Sequence, residues 1–99
     1  MKILFLGDVV GISGCSKIMN NLLNQIEINK IDFVIVNGEN AAEAGVGLTK
    51  EICEDFFKCG VDVITTGNHV WDQKDIMKFI DKENRLLRPK NLFEPAPGK

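Results

Sequence analysis

Apolar and polar positions alternate between two patterns along this chain. Short apolar runs stand at Ile3–Leu6, at Phe33–Val36 and within 61–66 (VDVITT). The first two are uninterrupted, which predicts buried strands of a parallel sheet covered on both faces. Between the runs the apolar residues recur at helical spacing. Cys15, Ile18, Met19, Leu22, Leu23 and Ile26 make one stripe, opposed by Asn20, Asn21, Asn24 and Gln25. Ile52, Cys53, Phe56 and Phe57 make a second. Ser13 and Thr49 are the expected caps of these helices, and Gly60 is the expected stop of the second. A third helix is expected to start at a cap on Asp72, with Asp75 at its third position. Trp71 would staple onto Ile76, and Ile80 would continue the buried side. Arg85–Arg88 predicts a short fourth strand, and Pro89, Pro95 and Pro97 an extended tail.

The segments between helices are glycine-punctuated. DVVGISG at 8–14 and the stretch 37–47 both read as loops. The predicted order is therefore β-α-β-α-β-α with a possible final strand. Strand–helix–strand units of this length predict an α/β fold with right-handed crossovers and a parallel sheet.

With 99 residues and 44% apolar content, the chain has room for one small domain with a modest core. A formal charge of −2 with interspersed lysines and acids argues against nucleic acid held by bulk charge. It leaves room for a nucleotide-sized substrate. The apolar runs are too short to span a bilayer, and ILFLGD reads as a strand and not as a secretory signal. Cys15, Cys53 and Cys59 are odd in number and lack CxxC spacing, so they read as core thiols of a cytoplasmic protein.

The chemistry is expected where the strands stop. Strands that run the same way end on the same edge, and open α/β sheets hold their ligands in the crevice there. Asp8 follows the first strand, Glu39 and Asn40 the second, Asn68 and His69 the third. Asp8 offers a hard carboxylate ligand, or a turn cap beside Gly7. Glu39 has oxygens enough to bridge two metals, and Asn40 adds a neutral oxygen; the alternative is a hydrogen-bonded turn. Asn68 offers an oxygen to a second ion. His69, the one histidine, could be a ligand, a proton donor or a structural residue. Two adjacent ions sharing a carboxylate are the recurring device of phosphoester hydrolysis.

The pieces MKILFLGDVVG at 1–11, DFVIVNGENAAEAGVGLT at 32–49, GVDVITTGNHVWD at 60–72 and RPKN at 88–91 closely resemble the N-terminal part of the YmdB-like calcineurin-type metallophosphoesterases. The resemblance implies half of a layered sandwich and hydrolysis of phosphodiesters, with 2′,3′-cyclic nucleotides as the substrate class. It implies a dinuclear iron or manganese centre. Asp8, Glu39 and Asn40 would serve the first metal, Glu39 would bridge, and Asn68 would serve the second. His69 would be the general acid. Homo-oligomers are common in the family. Its members are longer and carry further histidines in a second half, whereas no histidine follows His69 here. The chain is thus expected to be an incomplete domain, weakly active or inactive alone. Two rival readings remain. One is a non-catalytic α/β remnant or interaction module. The other is a Rossmann-type nucleotide domain, for which Asp32 stands at about the right distance but the glycine pattern is wrong.

Overall fold

A computed structural model describes residues 1–43, 45, 47–67, 76–91 and 97–99. The elements are β1 (Ile3–Leu6), α1 (Gly11–Asn29), β2 (Phe33–Asn37), α2 (Lys50–Lys58), β3 (Val63–Thr65), α3 (Ile76–Phe79) and β4 (Leu86–Leu87). The four strands form one sheet in the order β1-β2-β3-β4, and every pairing is parallel. The alternating α/β fold expected from the sequence is the fold observed, including the fourth strand.

A consecutive strand order with right-handed crossovers puts all connecting helices on one face of the sheet. Burial follows that rule. The register aligns Leu4 with Val34, and Leu6 with Val36, Ile64 and Leu86. These residues pack with Cys15, Ile18 and Leu22 of α1 and with Cys53 and Phe56 of α2 in the core. The opposite face carries Ile3, Phe5, Phe33, Ile35 and Val63, none of which joins the core. Ile3 is 57% and Phe5 60% exposed. The expectation that the first strand is covered on both faces is therefore corrected: its helices cover only one.

α1 starts earlier than expected. Its N-cap is Val10, which has no side chain able to cap, and Ser13 lies inside the helix. The backbone substitutes for the missing cap. Val10 and Asn40 form a parallel bridge, and the Gly11 N–H donates to the Asn40 carbonyl at 3.0 Å, so one orphan donor of the first turn is satisfied from the next loop. The buried stripe of α1 is also narrower than predicted. Cys15, Ile18 and Leu22 are buried, but Met19 and Leu23 are exposed.

α2 begins as its sequence dictates. Thr49 Oγ1 accepts from the Ile52 N–H, and Glu51 sits in the first turn. The helix ends at Cys59 and Gly60, the latter at φ +107°, a backbone conformation that glycine adopts at little cost. Ile80 is buried as expected but lies in the turn after α3. The expectations for Trp71, Asp72 and Asp75 lie outside the described residues.

Cysteine behaves as a small core residue. Cys15 and Cys53 are buried. Burial, with the Asp55 carboxylate adding to it, pushes the Cys15 thiol up against the opposing pull of a backbone hydrogen bond. The protonated Sγ donates to the Ala41 carbonyl at 3.2 Å.

The amino-terminal edge of the sheet is closed by carboxylates. Asp32 Oδ2 accepts from the Lys2 N–H at 2.7 Å, and the Asp32 N–H donates to the Lys2 carbonyl. Asp62 repeats the arrangement one strand along, accepting from the Val34 N–H at 2.8 Å and donating to the Val34 carbonyl. Each side chain takes the place of a ladder carbonyl at a strand start. Asp32 therefore belongs to strand pairing on the edge opposite the ligand crevice of such sheets, which removes the feature that favoured a Rossmann-type site.

Candidate functional site

The carboxyl-terminal ends of β1, β2 and β3 lie side by side, as the register requires. Asp8 follows β1 at φ +54°, in the left-handed region that non-glycine residues seldom occupy. Such strain persists only where the surroundings enforce it. Here the chain must turn from β1 at Gly7 and return to the bridge at Val10.

After β2 the chain makes an Asx turn. Asn37 Oδ1 accepts from the Glu39 N–H at 3.2 Å, and Asn37 Nδ2 donates to Thr65 Oγ1 at 3.3 Å. The Gly38 N–H donates to the Thr65 carbonyl at 2.9 Å, so the turn is tied to the end of β3. The Glu39 carboxylate consequently lies over Gly67, so close that a methyl group at 67 would overlap it. Asn40 is held from the other side by the bridge to Val10. Its side-chain oxygen is buried and accepts no hydrogen bond from the described residues, a costly state for a polar atom.

The structure thus ties together the turn holding Glu39 and Asn40, the Asp8–Val10 segment and the end of β3. Asn68 and His69 come directly after Gly67 in the chain but lie outside the described residues. Among the described residues, no three of His, Cys, Asp and Glu stand together as a metal-holding group. What the structure joins are backbone segments, through the Val10–Asn40 bridge and the Gly38–Thr65 hydrogen bond. Two contributors are not marked as site residues by the sequence. Gly67 reads there only as a strand stop, yet its lack of a side chain is what admits Glu39. Thr65 anchors Asn37. The Asn-Gly-Glu run is the available signal for the turn, whereas nothing local marks Gly67.

The chain matches the family model described as "YmdB-like protein" over residues 4–99. The chain belongs to the YmdB-like family. This YmdB-like chain is thereby a member of the calcineurin-type metallophosphoesterase family. It is 46% identical over 99 residues to a protein of Bacillus subtilis (strain 168) named 2′,3′-cyclic-nucleotide 2′-phosphodiesterase, covering all of this chain and 37% of that one. Among solved structures it resembles a hypothetical protein of Thermus thermophilus, with a TM-score of 0.89 and 35% identity over 100% of this chain and 38% of that one. It also resembles a protein of Mycoplasma pneumoniae described as a novel phosphatase, with a TM-score of 0.88 and 38% identity over 99% of this chain and 36% of that one. The YmdB-like chain therefore spans a little over a third of the length of these relatives. No helix among its described residues is long and apolar enough to cross a membrane.

Proposed function

We propose that this chain carries part of the site of a metal-dependent phosphodiester hydrolase acting on 2′,3′-cyclic nucleotides or similar esters. The observation that carries the reading is the buried Asn40 side-chain oxygen, without a hydrogen-bond partner among the described residues, in the loop that also holds Glu39 over Gly67 and is bridged to the Val10 end of the segment after strained Asp8. An electron-pair donor held ready without a hydrogen-bond partner fits a cation. A hard oxygen set of this kind suits a divalent ion such as manganese, and the family resemblance adds iron.

Asp8, Glu39 and Asn40 would hold a first ion, and Asn68 a second, with Glu39 shared between them. When bound, such ions supply charge stabilisation for the phosphoryl oxygens and a more acidic water. The chain's own residues do the rest. The Asn37 turn fixes the Glu39 carboxylate over Gly67, so that it is positioned before any ligand arrives. His69 donates a proton to the departing ribose oxygen as the bond from phosphorus to that oxygen breaks. The Bacillus relative's name supports the cyclic-nucleotide class.

We further propose that the 99 residues by themselves turn over little substrate. The absence of a three-residue carboxylate, histidine or cysteine group among the described residues favours weak ion retention. It likewise favours the second reading, a non-catalytic module. The test is manganese uptake by calorimetry beside turnover of a bis-aryl phosphodiester and a 2′,3′-cyclic nucleotide. Weak uptake that Asp8→Ala and Asn40→Ala abolish, with negligible turnover, is the expected result. Uptake unaffected by either change would overturn the site. Robust turnover by the 99-residue chain would overturn the expectation of weak activity.

A further inference from the structure

At the end of the sheet opposite the crevice, a groove of about 440 Å³ opens between α2 and the segment from α3 to β4. Glu54, Phe57 and Lys58 line it from the end of α2, Phe79 from the end of α3, and Glu83 and Arg85 from just before β4. The volume falls within the roughly 300–1,000 Å³ of small-molecule sites. Four of the six lining residues are charged, so an apolar helix or strand is a poor occupant.

Arg85 organises the groove. Its Cζ stands 3.9 Å from the centre of the Phe57 ring. Its Nε and Nη2 donate to the two Glu83 carboxylate oxygens at 2.9 and 2.8 Å. One side of the guanidinium is thus backed by a ring, and one edge is held by a two-pronged ion pair. The side chain is still 51% exposed, which leaves the outer side and the Nη1 edge to solvent. A guanidinium plane held this way is a stacking surface for flat π systems, nucleobases among them. Phe79 adds a second ring, with the Lys50 Nζ 5.8 Å from its centre. The charges define the rest of the ligand. Glu83 is paired with Arg85, and Glu54 lies 3.8 Å from the Lys50 Nζ. Lys58 forms no ion pair among the described residues and stands ready for an anionic group. A small anion by itself would meet two carboxylates, and an uncharged ring would gain only stacking. The fitting ligand joins a flat ring to one anionic group.

We propose that this groove is a binding site for a purine nucleoside monophosphate, apart from the strand-end crevice. The base stacks on the Arg85 guanidinium over Phe57, and Lys58 holds the phosphate. One stacking surface and one lysine serve one base and one phosphate. With a formal charge of −2 the chain offers no basic track for a longer strand. The inference rests on the groove alone and stands whether or not the crevice hydrolyses phosphodiesters.

The test titrates the isotope-labelled chain with AMP, adenosine and inorganic phosphate, with a chelator present so that no metal ion takes part. AMP should shift the amide signals of Phe57, Lys58, Phe79 and Arg85 with a dissociation constant on the order of 1 mM. Adenosine and phosphate should each bind at least about fivefold more weakly. Arg85→Lys keeps the charge and loses the plane, and should weaken AMP and adenosine alike by at least about fivefold. Lys58→Gln should weaken AMP and leave adenosine unchanged. Circular dichroism identical to the parent's shows that both variants keep the fold. The proposal is overturned by the absence of saturable shifts, by phosphate binding as tightly as AMP, by shifts confined to residues 8–11 and 37–40, or by affinities that neither substitution alters. An oligoadenylate that binds more than about tenfold tighter than AMP would overturn the single-nucleotide ligand.

Discussion

The two edges of this sheet handle polar groups in opposite ways. At the amino-terminal edge Asp32, Asp62 and Glu83 each accept a backbone N–H at a strand start: from Lys2, Val34 and Arg85 respectively. At the carboxyl-terminal edge Asp8 is strained, the Asn40 oxygen lacks a partner and Glu39 is pressed over Gly67. Carboxylates thus finish the backbone ladder at one end, whereas the other end holds a strained aspartate and, among the described residues, a buried amide oxygen with no partner. Polar groups that contribute to folding are paired within the fold. Groups left unpaired at a cost are retained for something outside it. Substitution should therefore have opposite signs at the two edges.

The largest loss of stability is expected for Asp62→Ala. It leaves the buried Val34 N–H without its acceptor, at a cost of about 1–3 kcal/mol. Urea unfolding should show a lower midpoint at unchanged slope, and metal uptake per folded molecule should not change. A midpoint equal to the parent's would remove the distinction between the edges.

Next comes Gly67→Ala. The added methyl must displace the Glu39 carboxylate. Because that carboxylate is at the crevice, manganese affinity should fall by a larger factor than stability does. Calorimetric titration beside urea unfolding separates the two, and an equal loss in both would make Gly67 a packing residue only.

Asp8→Gly and Asn40→Leu should run the other way. Glycine relieves the positive φ, and leucine of similar shape removes a partnerless buried oxygen. Stability should hold or rise by up to about 1 kcal/mol in each, while manganese uptake is lost. Thermal melts with and without manganese check this. Destabilisation by both would mean that the crevice is as structural as the opposite edge.

The smallest effect belongs to Glu83. Its hydrogen bond from the Arg85 side chain holds its carboxyl below the ordinary range, with burial opposing. The contribution is therefore fully present above the unfolded-state value and fades as pH falls through the lower folded-state one. Glu83→Gln should remove that acid-side dependence and leave stability near neutral pH only slightly lower, since the ion pair is at the surface. Melts across the acid range would show whether the dependence is altered.

Element order and sheet direction were legible in the sequence, because period and strand-end glycines are local signals. The Thr49 cap was legible for the same reason. The start of α1 was not, since its first turn is satisfied by the Asn40 carbonyl of the following loop. Nor was the asymmetry of β1. Ile-Leu-Phe-Leu reads as doubly buried whichever face the helices take, and only a consecutive strand order reveals that they share one. Asp32 shows the converse error, in which a plausible ligand spacing fell at the wrong end of a strand. At the candidate site the role of Gly67 was not readable, because the side chain it accommodates comes from another loop.

The consecutive order of the strands also bears on how the chain is made. Ile3 pairs with Phe33, Ile35 with Val63 and Ile64 with Leu86, so each strand finds its neighbour in the very next one synthesised. None of these three pairings has to wait for a distant part of the message. As the chain leaves the ribosome, β1 and β2 can close over α1 before β3 has emerged, and each later unit can dock on a finished edge. The drawback is kinetic exposure. Among the described residues the first of these strands is also the edge left open, and it is bare to other nascent chains while the later units are made.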